Sequence, residues 1–242
     1  MKGVILAAGK GTRMKDLTKD KPKPMVETGK RLILEHVFNQ VKKAGVKDLL
    51  VITGYYATII EDNFKDGRDF GLNITYMRQE TLDGTGNATK LAENFVDGDT
   101  FLLTYGDIMS SVENYPHMIK EFNNDPSDAL LALTWVEDPY RGAAVYLGEN
   151  NKIEKIIEKP PKGTSTSNWN NAGIYIFSPV VFDYLRKIKL SPRGEYELPD
   201  AITLMMQDKR DVRGFKLDGY WGDLGTPEDV IRMNEILEDL KK

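Results

Sequence analysis

The chain of 242 residues contains no cysteine and only two histidines. Without thiols it can form neither disulfides nor zinc–thiolate sites, and it has no cysteine nucleophile. His36 and His117 each stand alone in a helical pattern, which is typical of a packing or surface role. These shortages remove a Ser-His-Asp triad and a histidine-ligated metal site from consideration, and the lack of cysteine fits a reducing compartment.

A basic excess and a long apolar run are missing as well. Lys and Arg number 33 against 37 Asp and Glu, with a net charge of −4, whereas a nucleic-acid-binding protein needs a basic excess or stripe. No apolar stretch approaches the roughly twenty residues that span a bilayer. Met1-Lys2-Gly3 leads directly into an apolar strand, which leaves no room for a signal peptide. We therefore expect a cytoplasmic protein that binds neither nucleic acid nor membranes.

Apolar strands and amphipathic helices alternate over the first half of the chain. Apolar runs predict strands at residues 3–8, 49–53, 74–77, 101–105, 129–136, 143–147, 153–157 and 172–177. Helical patterns cover residues 37–44, 59–64, 86–93, 118–122, 181–188 and the segment after Thr226. Fully apolar strands that alternate with helices indicate a parallel sheet covered on both faces. We predict an α/β fold, a Rossmann-like three-layer α/β/α arrangement with a mixed, mainly parallel central sheet, in one domain over residues 1–242.

A two-glycine loop follows the first strand. Residues 9–13 read Gly-Lys-Gly-Thr-Arg, and Lys23 stands between two prolines shortly afterwards. Glycine allows a sharp turn and lets main-chain N–H groups come close to a ligand. Backbone donors combined with two cations, Arg13 and Lys23, suit a polyphosphate, so the loop predicts binding of a nucleoside triphosphate.

Other interpretations of this loop agree less well with its spacing. Met14 stands where a dinucleotide-binding loop needs its third glycine, and a Walker A loop needs four residues between its glycines. A lone Gly-x-Gly is most often a surface turn after an edge strand. The arginine and the lysine that follow favour the phosphate interpretation.

Two carboxylates lie at places typical of a magnesium site. Asp107 follows a buried strand and a glycine, and Asp223 is flanked by glycines before a helix. A carboxylate at the end of a buried strand is costly without a cation, and Mg²⁺ is usually bound by one or two carboxylates together with substrate phosphates. A loop cap is the alternative role for Asp107, and a helix cap for Asp223. Because Gly9, Gln79 and Asp107 each follow a predicted strand, we expect one shared pocket at the carboxyl edge of the sheet.

The order of these motifs resembles that of the sugar-1-phosphate nucleotidylyltransferases, in particular the glucose-1-phosphate uridylyl- and thymidylyltransferases. The matching motifs run the full length of the chain, at residues 6–13, 22–24, 79 with 83–85, 105–107, 158–160, 171–173 and 221–227. Each motif alone is weak to moderate, and the ordered set is highly specific. The resemblance implies an enzyme that transfers a nucleotidyl group from a nucleoside triphosphate to a sugar-1-phosphate and releases pyrophosphate.

The resemblance also implies a role for each matching residue. The nucleotide-binding residues would be Leu6, Ala8, Gly9, Gly11, Thr12, Gln79, Gly84 and Thr85. The catalytic cations would be Arg13 and Lys23, and Mg²⁺ would be held by Asp107 and Asp223. The sugar phosphate would be bound by Gly142, Glu158, Lys159 and Asn171, with weaker support for residues 193–195 near the sugar.

The base and the sugar are less sharply indicated. Gln79 stands five residues before Gly84, as in family members that use UTP or dTTP, but a glutamine amide that flips serves cytosine equally well. Residues 21–27 and 104–107 also resemble glucose-1-phosphate cytidylyltransferases. We favour UTP or dTTP with glucose-1-phosphate. The alternatives are cytidylyl transfer, then mannose-1-phosphate guanylyl transfer, and a catalytically inactive, regulatory homologue that binds nucleotide-sugars.

The end of the chain differs from many members of that family. They carry a C-terminal left-handed β-helix domain, which we do not expect here because residues 226–242 form an amphipathic helical pattern. Its apolar stripe consists of Val230, Met233, Leu237 and Leu240. The stripe packs either on the body of the protein or at a subunit contact, and the second alternative implies a homo-oligomer.

Overall fold

A nine-stranded mixed sheet forms the centre of residues 1–240, the part of the chain described by the computed structural model. Its strands, together with those of two small sheets, are β1 (Lys2–Leu6), β2 (Glu27–Thr28), β3 (Arg31–Leu32), β4 (Asp48–Thr53), β5 (Asn73–Arg78), β6 (Phe101–Tyr105), β7 (Ile108–Ser110), β8 (Ala129–Trp135), β9 (Ala143–Leu147), β10 (Ile153–Glu158), β11 (Trp169–Phe177), β12 (Val212–Lys216) and β13 (Trp221–Asp223). The α-helices are α1 (Ile33–Lys43), α2 (Ala57–Phe64), α3 (Thr85–Lys90), α4 (Glu93–Val96), α5 (Asn114–Asn124), α6 (Val181–Leu185), α7 (Leu198–Gln207) and α8 (Pro227–Asp239). Within residues 1–240, no helix is both long and apolar enough to cross a membrane.

The strand order places the loop after β1 beside the loop after β6. Strand β1 lies between β4 and β6 and runs parallel to both, and β5 runs parallel to β4. On the other side of β6, β11 pairs antiparallel with β6, β8 and β9. The chain thus moves from β1 outward to β5 and returns to β6 on the opposite side of β1. Open α/β sheets bind ligands at such a switch point, beyond the carboxyl ends of the strands.

Helices cover both faces of the sheet, so the predicted α/β fold is confirmed. Successive side chains of a strand point to opposite faces, and in β1 Val4 and Ile5 belong to different buried clusters. One cluster includes residues of α3, α6 and α7, and the other includes residues of α1, α2 and α5. Burial on both faces explains why β1 is apolar without alternation.

Several predicted elements have different limits in the structure. The helix predicted at 86–93 is two short helices, because Leu91 and Ala92 donate to carbonyls three residues back rather than four. The helix predicted at 181–188 ends at Leu185, and Ile188 is buried from the following turn. Leu240, predicted as part of the last apolar stripe, is 64% exposed. Strand β12 and helix α7 were not predicted.

The last helix packs against the body of the protein. Val230 and Met233 lie in a buried cluster with Met14, from the segment that follows the two-glycine loop. Asn234 Oδ1 accepts hydrogen bonds of 2.7 Å from the Thr28 hydroxyl and from the Gly29 N–H. These contacts support the first of the two alternatives for the apolar stripe, and the homo-oligomer stays a prediction.

One ion pair fixes α2 against the end of β5. Arg78 donates to Glu61 through Nε at 3.0 Å and through Nη2 at 2.5 Å, and the Thr53 hydroxyl donates to the same carboxylate at 2.9 Å. The hydrogen bonds from Arg78 are the main cause that lowers the pKa of Glu61 below its ordinary value of 4.5. A carboxylate whose pKa is lower in the folded state stabilises the fold above its unfolded pKa, and this contribution disappears as the pH falls through the folded pKa.

We expect Glu61→Gln to lower the free energy of unfolding by about 1 kcal/mol at pH 7, since the pair is bidentate but partly exposed. The difference from the wild type should shrink as the pH falls below 4.5. Urea unfolding at pH 7 and pH 3 measures both values. Asp62→Asn, at an exposed acid on the same helix, is the matched control and should change little. A difference that does not depend on pH contradicts the electrostatic explanation.

Candidate active site

The loop after β1 lines a cavity of about 220 Å³ at the switch point. The residues around it are Leu6, Ala7, Gly9, Gly11, Thr12, Arg13, Lys23, Pro24, Gly106 and Asp107. Gly11 adopts a left-handed φ of +61°, and a Cβ there would lie 2.8 Å from Lys23 Cβ. A Cβ on Gly9 would meet nothing within 4 Å. Gly11 is thus required for the turn, and the main chain at Gly9 borders open space.

Most residues predicted from the first glycine loop therefore meet in one place. Leu6, Gly9, Gly11 and Thr12 line this cavity together with both predicted cations. Ala8 lies just behind it, where its carbonyl oxygen accepts a hydrogen bond of 3.0 Å from the Tyr55 N–H. Ala8 therefore joins the two-glycine loop to the loop after β4.

Lys23 is the charged centre of the cavity. Its side chain is 8% exposed, and its ammonium group contacts the carboxylates of both Asp107 and Asp223, the latter at 3.3 Å. Burial alone would lower the pKa of Lys23, but the two carboxylates outweigh it and raise the pKa above its ordinary value. Burial and the neighbouring Asp107 raise the pKa of Asp223. The three groups form one electrostatic unit, an arrangement that the sequence did not predict.

A small sheet brings the two carboxylates together. Strands β7 and β13 pair antiparallel with Asp223 opposite Ile108, and the Leu224 N–H donates to the carbonyl oxygen of Asp107 at 3.1 Å. Arg13 lies beside this sheet. Its guanidinium group is only 3.2 Å from where a Cβ on Gly225, two residues after the end of β13, would lie. Two cations and two carboxylates thus face each other at the carboxyl end of β6.

The carboxylate pair also bears on which metal could bind. Among residues 1–240, no group of three or more His, Cys, Asp or Glu side chains is placed to hold a metal ion. Zinc and calcium sites use more protein ligands than two. Magnesium commonly uses one or two carboxylates and takes its other ligands from phosphates and water. Asp107 and Asp223 therefore match the donor set of magnesium.

Gln79, predicted to share one pocket with Gly9 and Asp107, instead lies at a second cavity, of about 250 Å³, beyond the ends of β4 and β5. Its N–H donates to the Thr53 carbonyl oxygen at 2.8 Å and extends the pairing of the two strands. Its side-chain Nε2 donates to Asp83 Oδ1 at 3.1 Å and to the Gly84 carbonyl oxygen at 3.0 Å. Both partners are acceptors, so a flipped amide would place oxygen against oxygen. The side-chain orientation is therefore determined, and Oε1 is the group that stays available for a ligand.

Gly84 and Thr85 are held by the segment that precedes α7. The Gly86 N–H donates to the Tyr196 carbonyl oxygen at 2.7 Å, and the Leu198 N–H donates to the Thr85 hydroxyl at 3.0 Å. A Cβ on Gly84 would lie 2.4 Å from the Tyr196 carbonyl oxygen. The missing side chain of Gly84 is thus required by this packing. That reason could not be predicted, because Tyr196 is distant in sequence.

The residues predicted to bind the sugar phosphate line neither of these two cavities; they form a group on β9, β10 and β11. The Lys159 N–H donates to the Gly142 carbonyl oxygen at 2.7 Å and so joins two of them. Lys159 has a φ of +44°, which is strained for a residue with a side chain. Desolvation by the surrounding protein raises the pKa of Glu158, and the neighbouring cations Lys159 and Arg193 oppose this effect. A Cβ on Gly142 would lie 2.1 Å from Asn170 Oδ1, so this glycine also permits close packing.

The strand predicted at 172–177 placed Asn171 just before it, and in the structure Asn171 lies inside that strand. Strand β11 begins at Trp169 and its register against β8 shifts between Asn171 and Tyr175. The Asn171 amide nitrogen donates to the Tyr175 hydroxyl at 2.9 Å, and that hydroxyl is 3.3 Å from the hydroxyl of Tyr105. Tyr105 is the residue that ends β6 just before Gly106 and Asp107. The buried Tyr175 and the partly buried Tyr105 thus connect the two groups of predicted site residues, and this contact was not predicted from the sequence.

Comparisons with known proteins agree over the whole chain. The sequence model of a family described as nucleotidyl transferase matches residues 2–239. The UTP–glucose-1-phosphate uridylyltransferase AglF of Haloferax volcanii is 36% identical, with 99% of this chain and 97% of AglF covered. The bifunctional protein GlmU of Methanococcus aeolicus is 37% identical over all of this chain, which spans 56% of that protein's length. A crystal structure of a candidate glucose-1-phosphate thymidylyltransferase from Bacillus anthracis, in complex with sucrose, superposes with a TM-score of 0.89 at 31% identity, covering 99% of this chain and 96% of that one.

Proposed function

Because this chain belongs to the nucleotidyl transferase family, we propose that it transfers a nucleotidyl group from a nucleoside triphosphate to a sugar-1-phosphate and releases pyrophosphate. The observation that carries the proposal is the unit of Lys23, Asp107 and Asp223 beside the two-glycine loop. Its cations and carboxylates suit the joining of two phosphate groups. Such a reaction depends on positioning and charge stabilisation, and it needs no nucleophilic side chain.

The reaction requires one bond to form and one to break. A phosphate oxygen of the sugar-1-phosphate, already anionic at neutral pH, attacks the α-phosphorus in line, and the bond to the pyrophosphate oxygen breaks. No proton has to be removed, so no general base is needed. The main-chain N–H groups of residues 9–12 bind the β- and γ-phosphates, and Arg13 and Lys23 stabilise the charge that develops on the leaving pyrophosphate. Asp107 and Asp223 would hold Mg²⁺, which supplies further charge neutralisation at the phosphates when it is bound.

The sugar phosphate is assigned to the group on β9, β10 and β11. Lys159 binds its phosphate, while Gly142, Glu158 and Asn171 contact the sugar hydroxyls. Both polar atoms of the Asn171 amide already have one protein partner, since Nδ2 donates to Tyr175 and Oδ1 accepts from the Gly173 N–H at 3.2 Å. Each atom keeps the capacity for a second hydrogen bond. Asn171 can therefore bind a hydroxyl in an orientation that the protein has already set.

We propose UTP or dTTP as the nucleotide and glucose-1-phosphate as the sugar phosphate. Gln79 Nε2 already donates to two acceptors, so Oε1 is left to accept the N3–H of uracil or thymine. Cytosine has an unprotonated N3 at that position, which places two acceptors together. Two similar proteins support this choice: AglF is a UTP–glucose-1-phosphate uridylyltransferase, and the Bacillus anthracis protein is a candidate glucose-1-phosphate thymidylyltransferase.

A pyrophosphate-release assay tests this assignment. ATP, CTP, GTP, UTP and dTTP are each combined with glucose-, mannose- and N-acetylglucosamine-1-phosphate in the presence of Mg²⁺. We expect UTP or dTTP with glucose-1-phosphate to give the highest kcat/KM, with CTP about 10- to 100-fold lower because an unpaired acceptor is buried. A preference for CTP overturns the base assignment alone. No pyrophosphate with any pair overturns the transferase and favours the regulatory homologue.

A further inference from the structure

Arg141 lies at the junction of the two substrate regions. It ends the 3₁₀ turn Pro139–Arg141 and directly precedes Gly142, on the side assigned to the sugar phosphate. Its guanidinium Nη2 reaches across to Asp229 Oδ2 of α8 at 3.6 Å. The turn directs the Arg141 side chain toward α8. The contact therefore joins the sugar side to the C-terminal helix.

The amino end of α8 belongs to the phosphate side. Gly225, just before the helix, lies against Arg13, and Asp223 contacts Lys23. The pKa of Glu228, at this end of α8, is lowered mainly by hydrogen bonds with its own backbone and with the Thr226 side chain, and to a smaller extent by the nearby cations Lys15 and Arg141. The ion pair of Arg141 with Asp229 thus lies between the region assigned to the pyrophosphate and the region assigned to the sugar phosphate.

Asp229 does not depend on Arg141 for its partners. It is 6% exposed, and its Oδ2 accepts hydrogen bonds from the Thr226 N–H at 3.0 Å and the Thr226 hydroxyl at 2.9 Å. Its Oδ1 also lies 3.4 Å from Arg232 of the same helix. This is the capping box that starts α8, and such a box satisfies the carboxylate locally. The carboxylate remains satisfied if Arg141 leaves.

Arg141 is held only weakly in return. Its side chain is 54% exposed, and its distance to Asp229 is beyond that of a hydrogen bond. Such exposed pairs contribute little to stability. A phosphate, by contrast, accepts two parallel hydrogen bonds from a guanidinium group and is a preferred partner of arginine. A dianion bound at Lys159 and Gly142 would lie next to Arg141 in the chain.

We propose that Arg141 exchanges Asp229 for the phosphate of the sugar-1-phosphate and orients it for attack. The proposal rests on the function proposed above, since it assigns a further binding residue to the same site. In the free protein the ion pair with Asp229 holds the guanidinium group of Arg141 between the two substrate regions. In the complex the guanidinium group and Lys159 bind the attacking phosphate together.

Steady-state kinetics of two variants and one control test the exchange. We expect Arg141→Ala to raise the KM for glucose-1-phosphate about 10- to 100-fold, the effect of losing charge-assisted hydrogen bonds, while the KM for the nucleotide changes less than about twofold. Asp229→Asn should act in the opposite direction and lower the KM for glucose-1-phosphate about two- to fivefold, because the competing carboxylate charge is gone. Arg232→Ala removes the other cation at Asp229 and should leave both KM values unchanged.

The outcomes separate this proposal from the proposed function. Turnover by the wild type together with an unchanged KM for glucose-1-phosphate in Arg141→Ala overturns the exchange and leaves the transferase standing. Equal increases of both KM values in Arg141→Ala and Arg232→Ala overturn it too, because they indicate a purely structural role at α8. Calorimetric titration with glucose-1-phosphate should show the same weakening for Arg141→Ala without turnover. A variant Arg141→Lys should recover part of the affinity, since it keeps the charge but not the paired donors.

Discussion

Lys23→Ala is expected to lower kcat by two to three orders of magnitude, because the charge that stabilises the leaving pyrophosphate is removed from a buried position. The side chain is 8% exposed and contacts two carboxylates, so its charge is held in a fixed position at the centre of the cavity. The substitution also leaves Asp107 and Asp223 without their shared cation. We expect this repulsion to cost about 1–3 kcal/mol of unfolding free energy, with the fold retained.

Pyrophosphate release and thermal unfolding of the same preparations separate the two effects of Lys23→Ala. Lys21→Ala is the matched control, since it removes the same charge two residues earlier, on the other side of Pro22. The control should keep turnover within about twofold of the wild type. Near-normal turnover of Lys23→Ala contradicts the proposed mechanism. A loss of turnover that only follows a loss of folded protein contradicts the catalytic role of the side chain.

Asp107→Asn is expected to reduce kcat by about a hundredfold or more while the fold remains intact. Asparagine has the same shape and still accepts hydrogen bonds, but it lacks the charge that attracts Mg²⁺ and pairs with Lys23. We therefore expect the Mg²⁺ concentration needed for half-maximal turnover to rise about tenfold. Chelation with EDTA should stop the wild-type reaction, and added Mg²⁺ should restore it.

Asp99→Asn provides the matched control for Asp107→Asn. Asp99 lies just before β6, at the opposite end of the same strand, so the substitution changes the same charge away from the site. Mg²⁺ titrations of turnover should coincide for this control and the wild type. An Asp107→Asn variant with an unchanged Mg²⁺ requirement contradicts the assignment of this carboxylate to the metal.

The parallel half of the sheet was predictable from the sequence because its strands are buried on both faces. Burial of that kind requires an uninterrupted apolar run, and the run at 101–105 coincides with β6 (Phe101–Tyr105). The two-glycine loop was predictable for a similar local reason, since the left-handed φ of Gly11 is open to few other residues. Local chemistry sufficed for both features.

Features that arise from distant contacts were not predictable from local patterns. The family resemblance paired Asp107 with Asp223, but the cause of their proximity, the pairing of β7 with β13, was not predicted because both strands are too short to show a periodic pattern. Gly84 matches a family motif, yet its packing against Tyr196 could be found only in the structure. The predicted strand began at 172 because polar Asn170 and Asn171 interrupt the apolar run, whereas the register shift between Asn171 and Tyr175, typical of a bulge, is visible only in the structure.

The order in which the site is made follows from the packing of the last helix. Lys23 and Asp223 are 200 residues apart, and Met14 is covered by Val230 and Met233. During translation the two-glycine loop therefore leaves the ribosome early, while its carboxylate partner and its supporting helix arrive late. A nascent chain that has already formed the central strands still lacks a completed triphosphate site. The chain can therefore bind its substrates only after its C-terminal helix has been synthesised and packed. Proteolytic removal of α8 should inactivate the protein while its sheet stays folded.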